Sequence, residues 1–347
     1  MKAVRFEEFG GPMVVTQVAE PECPVDGVVI EVGACGVCRS DWHGWKGSVS
    51  RITPPHVPGH EFAGVIVETG PDCRRFRKGV RVTAPFILAC GRCPDCVGGD
   101  ATVCAHQHVV GFSSWGAYAE RVAVQRADFN LVELPGEMDI ATAAGMGCRV
   151  TTAWRAVVDR ARLAPGEWMA VHGCGGIGLS AVMIGAALGA QVLAIDVNPG
   201  ALEMAEAMGA TRTLNVEGLN DVGGAVREIT GGGAQVSVEA LGINATFENS
   251  LRGLAPLGRH VQIGMPTGIH ATPALPLYEL IYARQLQILG TRGLAASRFP
   301  PLFAAIQAGR MDPSRLVTRR IALEEAPAAI AEMDGYARVG VTVIDRF

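Results

Sequence analysis

The feature that most constrains the fold is a run of 28 residues without Asp, Glu, Lys or Arg, Trp168 to Ile195, reading WMAVHGCGGIGLSAVMIGAALGAQVLAI. It is long enough to span a bilayer, for which ~20 apolar residues suffice. Its glycines argue otherwise. Gly173, Gly175 and Gly178 stand in GxGxxG spacing after an apolar strand-like run, Met169 to His172, and before an Ala-rich helical segment. In such a turn the first glycine permits a tight bend, the second lets a phosphate approach the backbone, and the third lets helix and strand pack closely. The helix N-terminus attracts phosphate through its exposed N–H groups and its dipole. A strand–turn–helix–strand unit explains both the apolarity and the glycines, so no membrane partner is expected.

Asp196 ends the second strand, eighteen residues past Gly178. A carboxylate there accepts hydrogen bonds from the ribose hydroxyls and repels a 2′-phosphate, so the expected cofactor is NAD rather than NADP. The alternation continues, with ALEMAEAMGA helical, AQVSVEALG a strand, ATFENSLRGLAPLG a helix and RHVQIGMP a strand. This predicts an α/β chain with a doubly wound parallel sheet over residues 150–290. Residues 1–149 show short β-type runs such as GVVIEVGACGV and EFAGVIVETG, and predict a mainly β domain to which 291–347, ending in GVTVIDRF, return. A length of 347 residues suffices for two cores. A formal net charge of −4 leaves no electrostatic footprint for nucleic acid. The N-terminal MKAVRFEEFGG carries acidic residues where a secretion signal needs an apolar core, and a cytoplasmic, reducing compartment is expected.

Four of the ten cysteines, Cys90, Cys93, Cys96 and Cys104, fall within CGRCPDCVGGDATVC. Zinc takes four soft ligands in a tetrahedron with Zn–S near ~2.3 Å, and CxxC turns present two thiolates to one ion. With every position filled by thiolate such a site is structural, since none is left for a substrate. A redox pair is the rival reading, but a redox CxxC opens a helix and no helical periodicity follows here. A nucleic-acid zinc ribbon is disfavoured, because the lobe holds one base, Arg92, and no aromatic residue. Outside the lobe the ligand-grade residues Cys38, His43, His60, Glu61 and Cys148 are dispersed, and spacing alone does not assemble them.

The motifs GVCRSDWHGWKG, GHEFAGVI, the four-cysteine lobe, GCRVTTAW and GCGGIG occur in an order that resembles the zinc-dependent medium-chain alcohol dehydrogenases, in motif most similar to the short tetrameric bacterial and yeast type. The resemblance runs over the whole chain. It implies a Rossmann domain at 150–290 and a GroES-like catalytic domain at 1–149 and 291–347. It also implies a catalytic zinc on Cys38, His60 and Cys148 with one position open, Glu61 as a transient ligand and Asp41 orienting His60. With the structural site, two zincs per chain are implied. Such an ion lowers the pKa of an alcohol so that it can yield hydride near neutral pH. By the same resemblance Ser40 and His43 relay the proton, and Arg39, Gly176, Ile177 and Met265 join the glycines and Asp196 around the cofactor.

Trp45, Phe86 and Trp115 are implied to line the substrate cleft, which suits an apolar alcohol, aldehyde or ketone. One departure stands out. Many relatives carry an Arg after a VG pair near the C-terminus, where this chain has Val341, with Arg338 three residues earlier. The stretch from Gly258 to Thr291 implies a homo-oligomer, with a tetramer favoured over a dimer. The rival readings are a zinc-free enone or quinone reductase, which lacks the Cys38/His60/Cys148 set, and a catalytically silent nucleotide-binding scaffold. Cys174 within the turn reads by default as an ordinary buried or free thiol, and as an oxidation-sensitive one if it lies near the cofactor; sequence gives no exposure.

Overall fold

The structure is a computed structural model that describes residues 1–335 and 338–347. It divides into two compact units: Met1–Thr151 with Gly293–Ala305 and Val317–Phe347, and Thr152–Arg292 with Ile306–Leu316.

The first unit is built on the strand Val28–Val37, whose β-branched residues are buried along most of its length. It pairs antiparallel with Phe62–Thr69, with Arg121–Val124 and with the C-terminal strand Val341–Arg346. The seven-stranded sheet therefore includes the last residues of the chain, as the β-type pattern of GVTVIDRF predicts. Ile30, Phe62, Ile66 and Tyr118 are among its fully buried side chains. The helix Ile140–Met146, started by Asp139 accepting from Thr142 N, packs on Val28–Val37, Phe62–Thr69 and Val341–Arg346.

The second unit holds a six-stranded parallel sheet. Across the sheet the strands run Arg212–Asn215, Gln191–Asp196, Trp168–His172, Ala234–Glu239, Leu254–Gln262 and Gln287–Gly290. Numbered by their own succession this is 3-2-1-4-5-6, the doubly wound order of the Rossmann fold, with the reversal beside Trp168–His172. The charge-free run resolves into a strand, the helix Gly176–Ala187 and a second strand. No helix among the described residues is long and apolar enough to cross a membrane. One boundary differs from the sequence reading. The helix expected through Gly258 ends at Arg252, and Leu254 already starts the next strand. Pro256 cannot sustain helix hydrogen bonding, and Leu257 at φ +64° accommodates the register shift between Ala234 and Val236.

Two histidines lie inside this sheet. His260 faces Ser237 and Ser250, whose hydroxyls lie 3.2 and 2.9 Å from Nδ1, while Gln262 Oε1 lies 3.2 Å from Nε2. His172 is buried, with Nε2 unpartnered among the described residues. Burial lowers His260 to about 4, and burial followed by the His260 charge lowers His172 to about 3. Unfolding returns both to an ordinary value near ~6.5, so the unfolded chain binds protons that the fold refuses. Their contribution is complete above pH ~6.5 and is lost as pH falls toward these depressed values, by about 1.4 kcal/mol per pH unit for each histidine. We expect His172→Leu to shrink the drop in urea midpoint between pH 7.5 and 4.5 (chosen at ~1 and ~2 units either side of the unfolded pKa). An undiminished drop would remove His172 from the acid response.

Candidate active site

Two adjacent antiparallel strands bring the dispersed ligand candidates together. Cys38 follows Val28–Val37 directly, and His60 and Glu61 directly precede Phe62–Thr69. Because Cys35 pairs with Phe62 and Gly36 N donates to Glu61 O at 2.7 Å, the end of one strand lies against the start of the other. Cys148 reaches them from the bend between the helices Ile140–Met146 and Arg149–Trp154. Ligand atoms of Cys38, His60, Glu61 and Cys148 all lie within 4.8 Å of one another, and all four residues are buried.

Asp41, in the first turn of the helix Arg39–Trp45, organises this cluster. Its Oδ1 lies 2.8 Å from His60 Nδ1 and accepts from Gly59 N, while Oδ2 accepts from Cys38 N and Tyr118 Oη. A carboxylate on Nδ1 fixes a proton there and makes Nε2 the ring's ligand atom; against the effect of burial, the Asp41 charge raises His60 well above the usual imidazole range. That Nε2 is buried and has no partner among the described residues. The rings of Phe86 and Phe112 stand edge-on to the imidazole, with centroids at 5.8 and 5.1 Å. The hydrogen bond between Cys148 and Cys38 holds Cys38 well below the usual thiol range, and raises Cys148 from its other end. One thiolate is thus stable unaided, and a second calls for a cation. Two sulfurs, an aimed imidazole and a missing positive charge fit a zinc ion with a fourth position open.

Glu61 is fully buried. Its Oε2 meets the Arg149 guanidinium at 2.6 Å and its Oε1 accepts from Cys148 N at 3.3 Å. Burial pushes Glu61 up to about 8 against the pull of Arg149, and the Cys38 charge adds to the rise.

The helix Arg39–Trp45 carries the other candidates of this unit. His43 is half-buried against the Trp42 ring, and burial followed by the Arg39 charge lowers its pKa. Ser40 is also half-buried. Arg39 donates to Gly335 O at 2.9 Å and lies over Trp42. Trp45 and Phe86 belong to the apolar cluster that contains Cys38 and Cys148, whereas Trp115 stands outside it, 38 % exposed and bonded to Pro55 O. Val341 is buried in its strand, and Arg338 is ion-paired with Glu332. Phe112, Tyr118 and Arg149 are additions that the sequence reading missed. Only Arg149 left a trace, as a charge directly after a ligand-grade cysteine in GCRVTTAW.

In the lobe, Sγ atoms lie 3.5 Å (Cys93–Cys96), 3.8 Å (Cys93–Cys104) and 3.9 Å (Cys90–Cys96) apart. These are far beyond a disulfide, near ~2.05 Å, and match the ~3.8 Å edges of a tetrahedron with ~2.3 Å arms. All ten cysteines are free. The N–H groups of Arg92 and Cys93 pull Cys90 down to about 6, while burial and then Cys93 push Cys96 up to about 12. Four thiolates together therefore need a cation, and the cluster fits a second zinc.

In the second unit, Gly173 has φ +94°, and a Cβ there would lie 1.9 Å from Leu241 Cδ1; one on Gly178 would lie 1.8 Å from Gly173 O. Gly175 differs: nothing lies within 4 Å of its Cβ position, and as N-cap of Gly176–Ala187 it leaves that helix end without a side-chain cap. Open space over an uncapped helix start fits a pyrophosphate. Ile177 is half-buried on the first turn, and Met265 is exposed, its backbone abutting Gly242. Asp196 accepts from Cys174 N at 2.6 Å and Asn198 N at 2.8 Å. Cys174 is fully buried and burial raises its thiol, so it is no exposed redox group.

A cation-seeking thiolate–imidazole cluster in a chain with a dinucleotide-type turn defines the class, a metal-binding dehydrogenase. Comparison with known proteins agrees. Residues 25–136 match the alcohol dehydrogenase GroES-like domain and 176–308 the zinc-binding dehydrogenase family. An alcohol dehydrogenase of Geobacillus stearothermophilus is 35 % identical over 77 % of this chain and 78 % of its own. An L-threonine 3-dehydrogenase of Burkholderia mallei is 31 % identical over 96 % of both. Among solved structures, alcohol dehydrogenase TADH from Thermus sp. ATN1 superposes with TM-score 0.91 at 30 % identity over all of both chains. A putative zinc-binding dehydrogenase from Sinorhizobium meliloti 1021, bound to NADP, gives 0.87 at 29 % over 99 % and 98 %. The chain belongs to the zinc-dependent medium-chain alcohol dehydrogenase family.

Loss of the carboxylate on His60 should loosen metal held at Cys38, His60 and Cys148. We expect Asp41→Asn to speed zinc release from that centre to a chelator by about 10–100-fold, with release from the lobe unchanged. Equal release rates in variant and parent would deny Asp41 this role.

Proposed function

We propose that the chain is an NAD-dependent alcohol dehydrogenase with two zincs, one catalytic on Cys38, His60 and Cys148 and one structural on Cys90, Cys93, Cys96 and Cys104. The observation that carries the reading is the buried His60 Nε2, unpartnered among the described residues and grouped with the Cys38 and Cys148 sulfurs. When bound, zinc supplies the Lewis acid that favours an ionised substrate hydroxyl and NAD supplies the hydride acceptor. In this reading residues 1–149 and 291–347 carry the chemistry, apart from Ile306–Leu316, which belong to the unit of 150–290 that carries the nucleotide.

The chain's own residues do the rest. Asp41 holds His60 in one tautomer and one orientation. Phe86, Phe112 and Trp45 surround the sulfurs and imidazole with apolar surface, which excludes water and favours an alkyl or aryl substrate over a charged one. His43, kept neutral by its lowered pKa, takes the proton that leaves through Ser40. The N–H groups at Gly175–Gly178 bind the pyrophosphate, with Arg39 as a further contact, and Ile177 and Met265 flank the nucleotide. Asp196 accepts from the ribose and repels a 2′-phosphate, which supports NAD over NADP.

The uncovered edge strand Gln287–Gly290, with Leu277, Tyr278, Tyr282 and Ile288 exposed near it in sequence, supports a homo-oligomer, a tetramer ahead of a dimer. Ten free cysteines suit a reducing cytoplasm.

A panel of alcohols, aldehydes and ketones with NAD(H) and NADP(H), read by NADH absorbance beside a zinc assay, tests the reading. We expect turnover of apolar substrates with NAD and two zincs per chain. Turnover without zinc would favour the reductase, one zinc without turnover would favour the silent scaffold, and tighter NADPH binding would overturn the role of Asp196. For the relay, His43→Gln should slow turnover most at low pH and respond to added buffer base. An unchanged pH–rate profile would remove His43 from it.

A further inference from the structure

Arg149 lies inside the unit, 7 % exposed, and each of its partners adjoins a ligand in the chain. One guanidinium nitrogen donates to Val37 O, the residue before Cys38. Another meets Glu61, the residue after His60, at 2.6 Å. Arg149 itself follows Cys148. Around the triangle of Cys38, His60 and Cys148 there is thus a second triangle, one residue further out on each segment, and a single side chain closes it.

Glu61 makes this arrangement consequential. Its carboxyl lies within 4.8 Å of the three ligand atoms, near enough to compete for the fourth position. Both its oxygens are engaged from the protein side, Oε2 by Arg149 and Oε1 by Cys148 N. Its backbone and stem are fenced in as well: a Cβ on Gly36 would sit 3.1 Å from Glu61 Cβ, and one on Gly147 would sit 2.9 Å from Glu61 Cα and 3.0 Å from its Cβ. A buried carboxyl deprived of its guanidinium either takes a proton or turns to the nearest other cation, because an unpaired buried charge is strongly disfavoured, and a divalent metal within reach favours the second.

We propose that Arg149 is a positioning residue that holds the Glu61 carboxyl out of the metal's coordination sphere and keeps the fourth position open to substrate. The proposal rests on the reading that Cys38, His60 and Cys148 hold a divalent metal. A residue serving only as counter-charge would leave the coordination of that metal unchanged on its removal.

The test uses full-length protein loaded with Co(II), in wild type, Arg149→Met and Arg149→Met/Glu61→Gln, titrated with imidazole as a probe of the open position. The readouts are the visible spectrum and the metal coordination number by X-ray absorption. In Arg149→Met we expect Glu61 as a new oxygen ligand and imidazole affinity lowered by about tenfold or more, with the double variant back near wild type. Arg149→Lys keeps the charge with fewer donors and is expected between the two, so it carries the test if Arg149→Met does not fold. Wild-type spectrum and imidazole affinity in whichever of these single variants folds would overturn the proposal. If no cobalt in the wild type responds to imidazole, the metal-centre reading fails instead, and the proposal with it.

Discussion

The hydrogen bond from Gly36 N to Glu61 O is the contact on which the site depends. It continues the antiparallel pairing of Val28–Val37 with Phe62–Thr69 one residue past its last paired positions, Cys35 and Phe62, so it is anchored by a ladder. Past that point the two chains separate, one into Cys38 and the helix carrying Asp41, the other back through Glu61 and His60. The ligand spacing is therefore inherited from backbone geometry, with side chains adjusting only the last few ångströms. A slip of one residue in this register would turn every side chain of the strand to the opposite face and scatter the cluster.

The two cysteine centres solve one electrostatic problem by different means. In the lobe, four sulfurs are gathered by one short segment and relieved by backbone N–H groups at Cys90 and Cys104. In the buried centre, sulfur, imidazole and carboxyl groups arrive from distant segments, and Arg149 brings the balancing charge. The first arrangement is local and closed. The second is assembled by tertiary structure, and one of its members must be held back rather than brought in.

That difference also governs what could be read from sequence. The lobe and the glycine-rich turn were legible because their residues sit within one short segment each, where spacing and geometry coincide. The doubly wound sheet was legible from alternating periodicity, apart from the helix end at Arg252, where LAPLG joined a strand with a register shift. The return of the C-terminal strand was legible from its β-branched pattern, whereas the excursion of Ile306–Leu316 into the second unit left no compositional mark. Cys38, His60 and Cys148 became a set only through family resemblance, since single cysteines and histidines are ordinary core residues. Tyr118 and Phe112 look like plain core aromatics until their contacts with Asp41 and His60 are seen. Trp115 illustrates the converse, an aromatic that motif similarity places at the cleft and the structure keeps outside the apolar cluster around the sulfurs.

Gly36 shows how a site can write itself into residues that take no part in it. It lies in a strand, where glycine forfeits side-chain packing, and its backbone does not fall among the positive-φ positions that favour glycine. What crowds a larger residue is the Glu61 side chain, whose Oε2 would lie 2.1 Å and whose Cβ 3.1 Å from where a Cβ would be. Gly36 is thus the imprint of that side chain. Positions 36 and 61 form one steric unit, and divergence at either is conditional on the other: a chain that shortens residue 61 has only the tight Cβ approach left to relax when it fills residue 36, while one that fills residue 36 first must displace the carboxyl as well. Drift in descendants of this sequence should therefore run through position 61 before position 36, an order of substitution imposed by volume alone.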